Sequence, residues 1–453
     1  MSSFLAKIVA FFMSVLVWLG ILPAQKPPQD GINADATIVY LNDEAGSAAG
    51  TVSVKANYDG DYDLYWGNAS GDKLSATIED YTAYYSEFAT VSVKDGEGSL
   101  ELNEFLAIPD GAETVLLYKG DELLEKENVP AEKIADNGTE TYRFGALSDV
   151  HFDRYNTASD DDANPAFSNA LDILDKCGVS MVGMTGDLSK EGEAEAYEKF
   201  NKIASKYDFP VFTCKGNHDC MARDNFEAWT KNINPGVYSE TKRAGVLALA
   251  DNGIDFTFSG PEANGDIFIF LSQSSCVYGP GIQLLTNAQL DWLEGQLEEH
   301  KDERVYLFFH TFLTDEDSED PFLSEGNIMN KVGFFYPLVY LHNNADEVRF
   351  RSLIKQYKNV VYFNGHSHWS YAMQKFNPQL NISNYRGTHA TMVHVSSVTA
   401  PRTIGEYDVK HTSNSGTMSE GLLMTVYGDH MIITACDFMN GEFLAYATYT
   451  VAK

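Results

Sequence analysis

From Tyr142 onward, short apolar runs of strand length alternate with segments of helical period, and no other feature constrains the fold as much. The runs cover residues 144–148, 179–185, 210–213, 267–271, 305–309 and 360–363. Between them, residues 165–176 place Phe167, Ala170, Leu171 and Leu174 on one helical face, and 191–207 and 348–357 also read as helices. A further helix, capped by Thr286 or Asn287, carries Leu290, Leu293 and Leu297 at three- and four-residue intervals. Strands separated by helices predict an α/β domain with a sheet covered on both faces. After Thr391 strands return, and Met439-Asn440-Gly441-Glu442 reads as a hairpin turn between 432–438 and 443–448.

Five short motifs fall where these strands end: Asp149-Val150-His151, Gly186-Asp187, Gly216-Asn217-His218-Asp219, His310, and Gly365-His366-Ser367-His368. Ligand sites in open α/β sheets lie beyond the carboxyl ends of the strands, so the motifs are expected to converge. Carboxylate, imidazole and amide oxygen together suit borderline divalent or trivalent metals, and the absence of thiolate argues against a structural zinc site. Residues two apart share a face in an extended segment, so Asp149 and His151 can reach one ion, as can His366 and His368. A short carboxylate such as Asp187 can bridge two ions about 3.5–4 Å apart. Gly186, Gly216 and Gly365 are expected to let the backbone turn tightly beneath the site.

In order and spacing these motifs resemble the calcineurin-like metallophosphoesterase superfamily, over residues 142–453. The resemblance implies a β-sandwich flanked by helices, holding two metal ions drawn from manganese, iron or zinc. Asp149, His151 and His368 would hold the first ion, Asn217, His310 and His366 the second, and Asp187 would bridge them. A hydroxide between the metals would attack phosphorus. His218, held by Asp219, would protonate the leaving oxygen or donate a hydrogen bond to it. Purple acid phosphatases have Gly where this chain has His151 and Tyr where it has Lys190, so their charge-transfer colour is not expected. His310 is followed by Thr311, where relatives often carry His or Pro. The Asp-Xaa-His and Gly-Asn-His-Asp forms lean toward phosphodiesters. A phosphomonoesterase or nucleotidase would use the same site, and a noncatalytic metal-binding surface protein is the reading from another class.

Ahead of this region, residues 31–135 show short Val-, Thr-, Tyr- and Leu-rich runs divided by turns such as Asp59-Gly60, Asp95-Gly96 and Lys119-Gly120. They predict an all-β immunoglobulin- or fibronectin-like sandwich, followed by a polar linker and then a domain over 140–453. At the start, Lys7 precedes an apolar or small stretch over 8–22, which reads as a signal peptide or an N-terminal anchor within 1–30. The protein is therefore expected to be secreted or extracytoplasmic, with residues 4–22 available as a membrane tether. Asp and Glu number 65 against 32 Lys and Arg, a net charge of −33 that disfavours duplex nucleic acid but leaves room for a small anion, since cations in a pocket reverse the local potential. The partner that the resemblance implies is a small or medium phosphate ester. Nothing in the sequence sets the oligomeric state.

The five cysteines form no framework; at most Cys214 and Cys220 could pair. Residues 236–275 and 311–340 include long loops that could select substrate, Trp369 reads as core or as a stacking surface, and Arg386 and His389 are candidate phosphate contacts. His300, His342, His394, His411 and His430 read as structural.

Overall fold

The computed structural model describes residues 31–152, 165–222, 225–233, 239–260, 263–277, 281–313, 344–376, 380–384, 390–403, 412–414 and 416–452, with two short strands at 323–324 and 327–328. The N-terminal segment 1–30, most of the loop 311–340, and His342, Arg386, His389 and His411 lie outside the described residues.

The first region is all-β. Its strands are β1 (Ala34–Tyr40), β2 (Gly50–Ala56), β3 (Gly60–Gly67), β4 (Ser75–Ile78), β5 (Tyr81–Tyr85), β6 (Ala89–Val93), β7 (Glu97–Leu102), β8 (Thr114–Lys119) and β9 (Glu122–Asn128). Seven of them make two sheets, ordered β1-β2-β7 and β6-β3-β8-β9. Alternation along β3 turns Tyr62, Leu64 and Trp66 inward, and Trp66 stacks on Phe88 with ring centroids 4.1 Å apart.

The second region contains β10 (Tyr142–Leu147), α1 (Pro165–Lys176), β11 (Val182–Met184), α2 (Ala194–Ala204), β12 (Val211–Thr213), α3 (Asn225–Asn232), β13 (Val246–Leu249), β14 (Phe256–Phe258), β15 (Ile267–Phe270), α4 (Asn287–Glu299) and β16 (Val305–Phe308). Then come β17 (Leu323–Ser324), β18 (Asn327–Ile328), α5 (Ala345–Gln356), β19 (Val360–Asn364), β20 (Ile382–Ser383), β21 (Thr391–His394), β22 (Arg402–Thr403), β23 (Thr412–Ser413), β24 (Glu420–Val426), β25 (His430–Asp437) and β26 (Glu442–Ala452). One large sheet has the order β12-β11-β10-β24-β25-β26-β5-β4 and the other β13-β14-β15-β16-β19-β21-β20.

The reading of one sheet covered on both faces, taken from the alternation of strands and helices, is corrected, and the sandwich that the resemblance implied is what forms: two sheets stack face to face, each with helices on its outer side. The reason lies inside the apolar runs, whose two faces are both apolar but pack against different layers. In β15, Ile267 and Ile269 pack with Leu290, Leu293 and Leu297 of α4, whereas Phe268 and Phe270 join Phe144, Phe212, Phe308 and Phe363 between the sheets. Both faces are apolar, so hydropathy alone does not separate the helix-facing side from the sheet-facing side. A capping box at Thr286 and Gln289 starts α4 where the sequence placed it.

The hairpin β4-β5 also departs from the domain boundaries read from the sequence. It leaves the first region and extends the larger sheet, with β5 parallel to β26 and Phe443 opposite Tyr85. Tyr81 and Tyr85 pack against Phe443 at 6.0 and 5.4 Å between ring centroids. One continuous apolar cluster accordingly includes Leu64 and Trp66 of the first region together with Leu147, Phe167, Leu171 and Met184 of the second.

Candidate metal centre

Strands β10, β11 and β12 are parallel neighbours, and the loops leaving them carry Asp149 and His151, then Asp187, then Asn217 and His218. In the facing sheet β16 and β19 are parallel neighbours, followed by His310 and by His366 and His368. The site therefore straddles one end of the stacked sheets, with three motifs from one sheet and two from the other.

The backbone is unusual where the side chains converge. Of the eight non-glycine residues with positive φ among the described residues, five are Asp149 (53°), His151 (45°), Asp187 (54°), His366 (72°) and His368 (61°). Each such conformation costs on the order of 1 kcal/mol and persists only where the surroundings enforce it. The glycines act differently from expectation. Gly186 has φ 105°, but Gly216 and Gly365 are needed for space rather than for turning: a Cβ on Gly216 would sit 2.1 Å from Asp187 Oδ1, and one on Gly365 2.7 Å from Asp149 Oδ2.

Two groups of ligand atoms result. In the first, His368 Nε2 lies 3.0 Å from His151 Nε2 and 3.0 Å from Asp149 Oδ1, and His151 Nε2 lies 3.4 Å from that same oxygen. In the second, His310 Nε2 lies 3.0 Å from Asn217 Oδ1 and 3.1 Å from His366 Nδ1, with Asn217 Oδ1 2.9 Å from His366 Nδ1. Asp187 Oδ2 joins the groups, 3.5 Å from His151 Nε2 and 3.2 Å from His310 Nε2. Ligands held about 2.0–2.1 Å from one ion are separated by about 2.9–3.4 Å in octahedral or tetrahedral geometry, so both groups have the spacing of a coordination sphere. The residues fit a pair of cations.

Protonation supports the same fit. His310 Nδ1 donates to the Thr185 carbonyl at 3.0 Å and His368 Nδ1 to the Ala400 carbonyl at 3.2 Å, which turns each Nε2 toward the site. Burial depresses His151 to about 3, so its ring is neutral at ordinary pH. Burial opposes charge on His310 as well, yet the Asp187 carboxylate raises it to about 9. Asp149 and Asp187 would be raised by burial, but the surrounding imidazoles hold both below the usual carboxylate range. A pocket that forces a buried imidazole to keep a proton is one that attracts a cation.

His218 sits at the rim, half-buried, its ring edge-on to His151 at 4.8 Å between centroids. Its main-chain N–H donates to Asp187 Oδ1 at 2.9 Å. The expectation that Asp219 holds the His218 ring is corrected: His218 Nδ1 is 2.6 Å from the Lys190 carbonyl. Asp219 is fully buried and instead accepts from the N–H groups of Leu188, Ser189 and Gly216 and from the Ser189 hydroxyl, so it locks the second motif to the third. Burial and the Asp187 charge raise it to about 6.

Sequence reasoning missed the residues that hold Asp149. Ser148 Oγ donates to Asp149 Oδ2, and the hydroxyls of Ser397 and Thr399 reach the Asp149 carbonyl at 2.8 and 3.1 Å. Isolated serines about 250 residues away carry no signal, and the carbonyls of Lys190, Thr185 and Ala400 have no residue type to reveal them. The remaining expectations resolve simply. All five cysteines are free. Trp369 is core, packed with Met373 and Leu380, and His394 is buried with Nε2 2.7 Å from the Trp369 carbonyl. His430 bonds Asp429 and Asn137 far from the motifs.

The family model described as calcineurin-like phosphoesterase matches residues 142–370, which include all five motifs. The chain belongs to that family. Among characterised relatives, this calcineurin-like phosphoesterase is similar to a 3',5'-cyclic-nucleotide phosphodiesterase from Nostoc sp., with 32% identity over 122 residues, 26% of this chain and 36% of the relative. It is also similar to a probable glycerophosphodiester phosphodiesterase, GpdQ, from Arcobacter nitrofigilis, with 26% identity over 130 residues, 29% of this chain and 41% of the relative. The chain thus spans well under half the length of these relatives. Among solved structures, a conserved uncharacterized protein from Streptococcus pneumoniae, a predicted phosphoesterase, is similar at 10% identity, covering 69% of this chain and 98% of that one with a TM-score of 0.28.

Proposed function

We propose that this phosphoesterase is an exported hydrolase of phosphodiesters with a dinuclear metal centre. The observation that carries the reading is Asp187 Oδ2, one carboxylate oxygen placed against both three-ligand groups. Two cations held there would supply Lewis acidity toward the phosphoryl oxygens and lower the pKa of a water that could act as nucleophile. The protein's own groups do the rest: Asp149, His151 and His368 form one cradle, Asn217, His310 and His366 the other, and His218 faces the mouth with Nδ1 engaged by Lys190. With Nδ1 donating to the Lys190 carbonyl, the ring can pass a proton from Nε2 to the leaving oxygen when it is in its imidazolium form. Preference for diesters draws support from the names of both relatives, and export from the apolar segment over 8–22. The order of the two N-terminal sheets, β1-β2-β7 and β6-β3-β8-β9, favours a fibronectin-like module.

The test is hydrolysis of bis-nitrophenyl phosphate and of nitrophenyl phosphate by protein loaded with manganese, iron or zinc, with and without chelator. Chelator-sensitive turnover favouring the diester is expected. Preference for the monoester would redirect the reading to a phosphatase or nucleotidase. Two ions bound with no turnover would make it a metal-binding surface protein.

A further inference from the structure

Glu420 is a fully buried carboxylate at the first position of β24, outside the five motifs. Burial pushes it up to about 7, so keeping a carboxylate there has a cost that ordinary core packing would avoid. Its contacts lead to the metal centre by two routes. Oε1 accepts from Ser370 Oγ at 2.8 Å and Oε2 from the Tyr371 N–H at 3.1 Å, gripping the chain directly after His368. The Ser370 N–H donates to the Arg402 carbonyl at 2.9 Å, and the Arg402 N–H to the His368 carbonyl at 2.7 Å. On the other route, the Glu420 N–H donates to the Ser397 carbonyl at 3.3 Å, and Ser397 Oγ holds the Asp149 carbonyl at 2.8 Å.

The two ligands reached in this way come from opposite sheets, Asp149 from the end of β10 and His368 from the loop after β19, and both belong to the first ligand group. The second group has anchors of its own, Gly365 N–H to the His310 carbonyl at 3.0 Å and His310 Nδ1 to the Thr185 carbonyl at 3.0 Å, and it meets the first where His366 N–H donates to Asp149 Oδ2 at 3.0 Å. We propose that Glu420 is a positioning residue for the first metal ion, its carboxylate clamping the His368 loop against β24, whose partner strand β10 leads to Asp149. The proposal rests on the dinuclear reading above. Outer partners of metal ligands set ligand orientation, and their loss typically weakens binding by about 10–100-fold.

Titration of metal-free full-length protein with zinc, followed by calorimetry and by competition with a chromophoric chelator, tests it. Wild type is expected to bind two ions per chain. Glu420→Gln keeps the size but offers one acceptor where two donors point, and is expected to weaken one step by about 10–100-fold while leaving the other unchanged. Ser370→Ala removes only the hydroxyl donor and is expected to weaken the same step by less. Equal affinities in wild type and Glu420→Gln, or equal weakening of both steps, would overturn the proposal, because a merely structural role affects both ions alike. Should Glu420→Gln fail to fold, Ser370→Ala decides between the same outcomes. Fewer than two ions on wild type would instead overturn the dinuclear reading itself.

Discussion

Asp187 carries the highest demand of any single residue, since its Oδ2 serves both ligand groups and its Oδ1 accepts the His218 main-chain N–H. Asp187→Asn preserves shape but removes the bridging charge. The variant is expected to keep its circular dichroism, lose at least one ion per chain and fall by more than about 100-fold in turnover; full activity with both ions retained would contradict the bridging role. His218 makes a different demand. With its ring oriented by the Lys190 carbonyl, His218→Ala should keep both ions and lose about 10²–10⁴ in rate for a poor leaving group, with a much smaller loss for nitrophenol. Equal losses for the two would assign His218 to hydrogen bonding rather than proton transfer. Asp219, which the motif places beside His218, belongs instead to the support beneath it, because five donors of the second and third motifs and α2, the Tyr197 hydroxyl included, converge on its carboxylate.

At the scale of elements, short buried strands deliver the ligands and buried polar ties keep the elements in register. Asp255, just ahead of β14, accepts from Ser272 N–H at 2.7 Å and from the side chains of Gln289 on α4 and Asn252 at 2.8 and 2.6 Å. Burial, only partly offset by these donors, lifts its carboxyl from 3.8 to about 6. The folded state thus binds this proton more tightly than the unfolded chain does. The stability tied to the neutral form is full below about pH 4 and is lost as pH rises through about 6. Asp255→Asn cannot ionise, so the wild-type denaturation midpoint is expected to decline relative to the variant's between pH 4 and 6.5. Midpoints that move in parallel across that window would show that Asp255 does not titrate there.

For the whole molecule, the first region is built into the second rather than strung beside it. β5 extends the large sheet at β26, Ala107 N–H and Thr450 N–H exchange bonds with the Thr448 and Phe105 carbonyls at 2.9 and 2.8 Å, and one apolar cluster spans both regions. Shared cores unfold together. Calorimetry of the full chain is expected to show one cooperative transition, and a fragment starting at residue 140 is expected to be insoluble because Phe443 and the β26 edge are uncovered. Two separated transitions, or a soluble active fragment, would show that the regions are independent.

The extent to which this protein could be read from its chain differs between local and distant relations. Strand-length apolar runs, the faces of α1 and α4, the hairpin at Gly441 and the motif residues were all legible, because period, turn chemistry and ligand type are properties of neighbouring residues. The motif residues also gather in space, because motif order puts them at the ends of neighbouring strands. Folding in three dimensions settled the rest. Whether Ile269 or Phe270 faces a helix depends on which sheet lies opposite, and the hairpin 75–85 chose β26 because Phe443 is there to cover its tyrosines. The left-handed backbone at Asp149 and His368 is tolerated only because Ser397, Thr399 and the Arg402 strand hold it, at separations of roughly 250 and 34 residues. Such contacts join groups that are common everywhere in the chain and acquire meaning only by proximity.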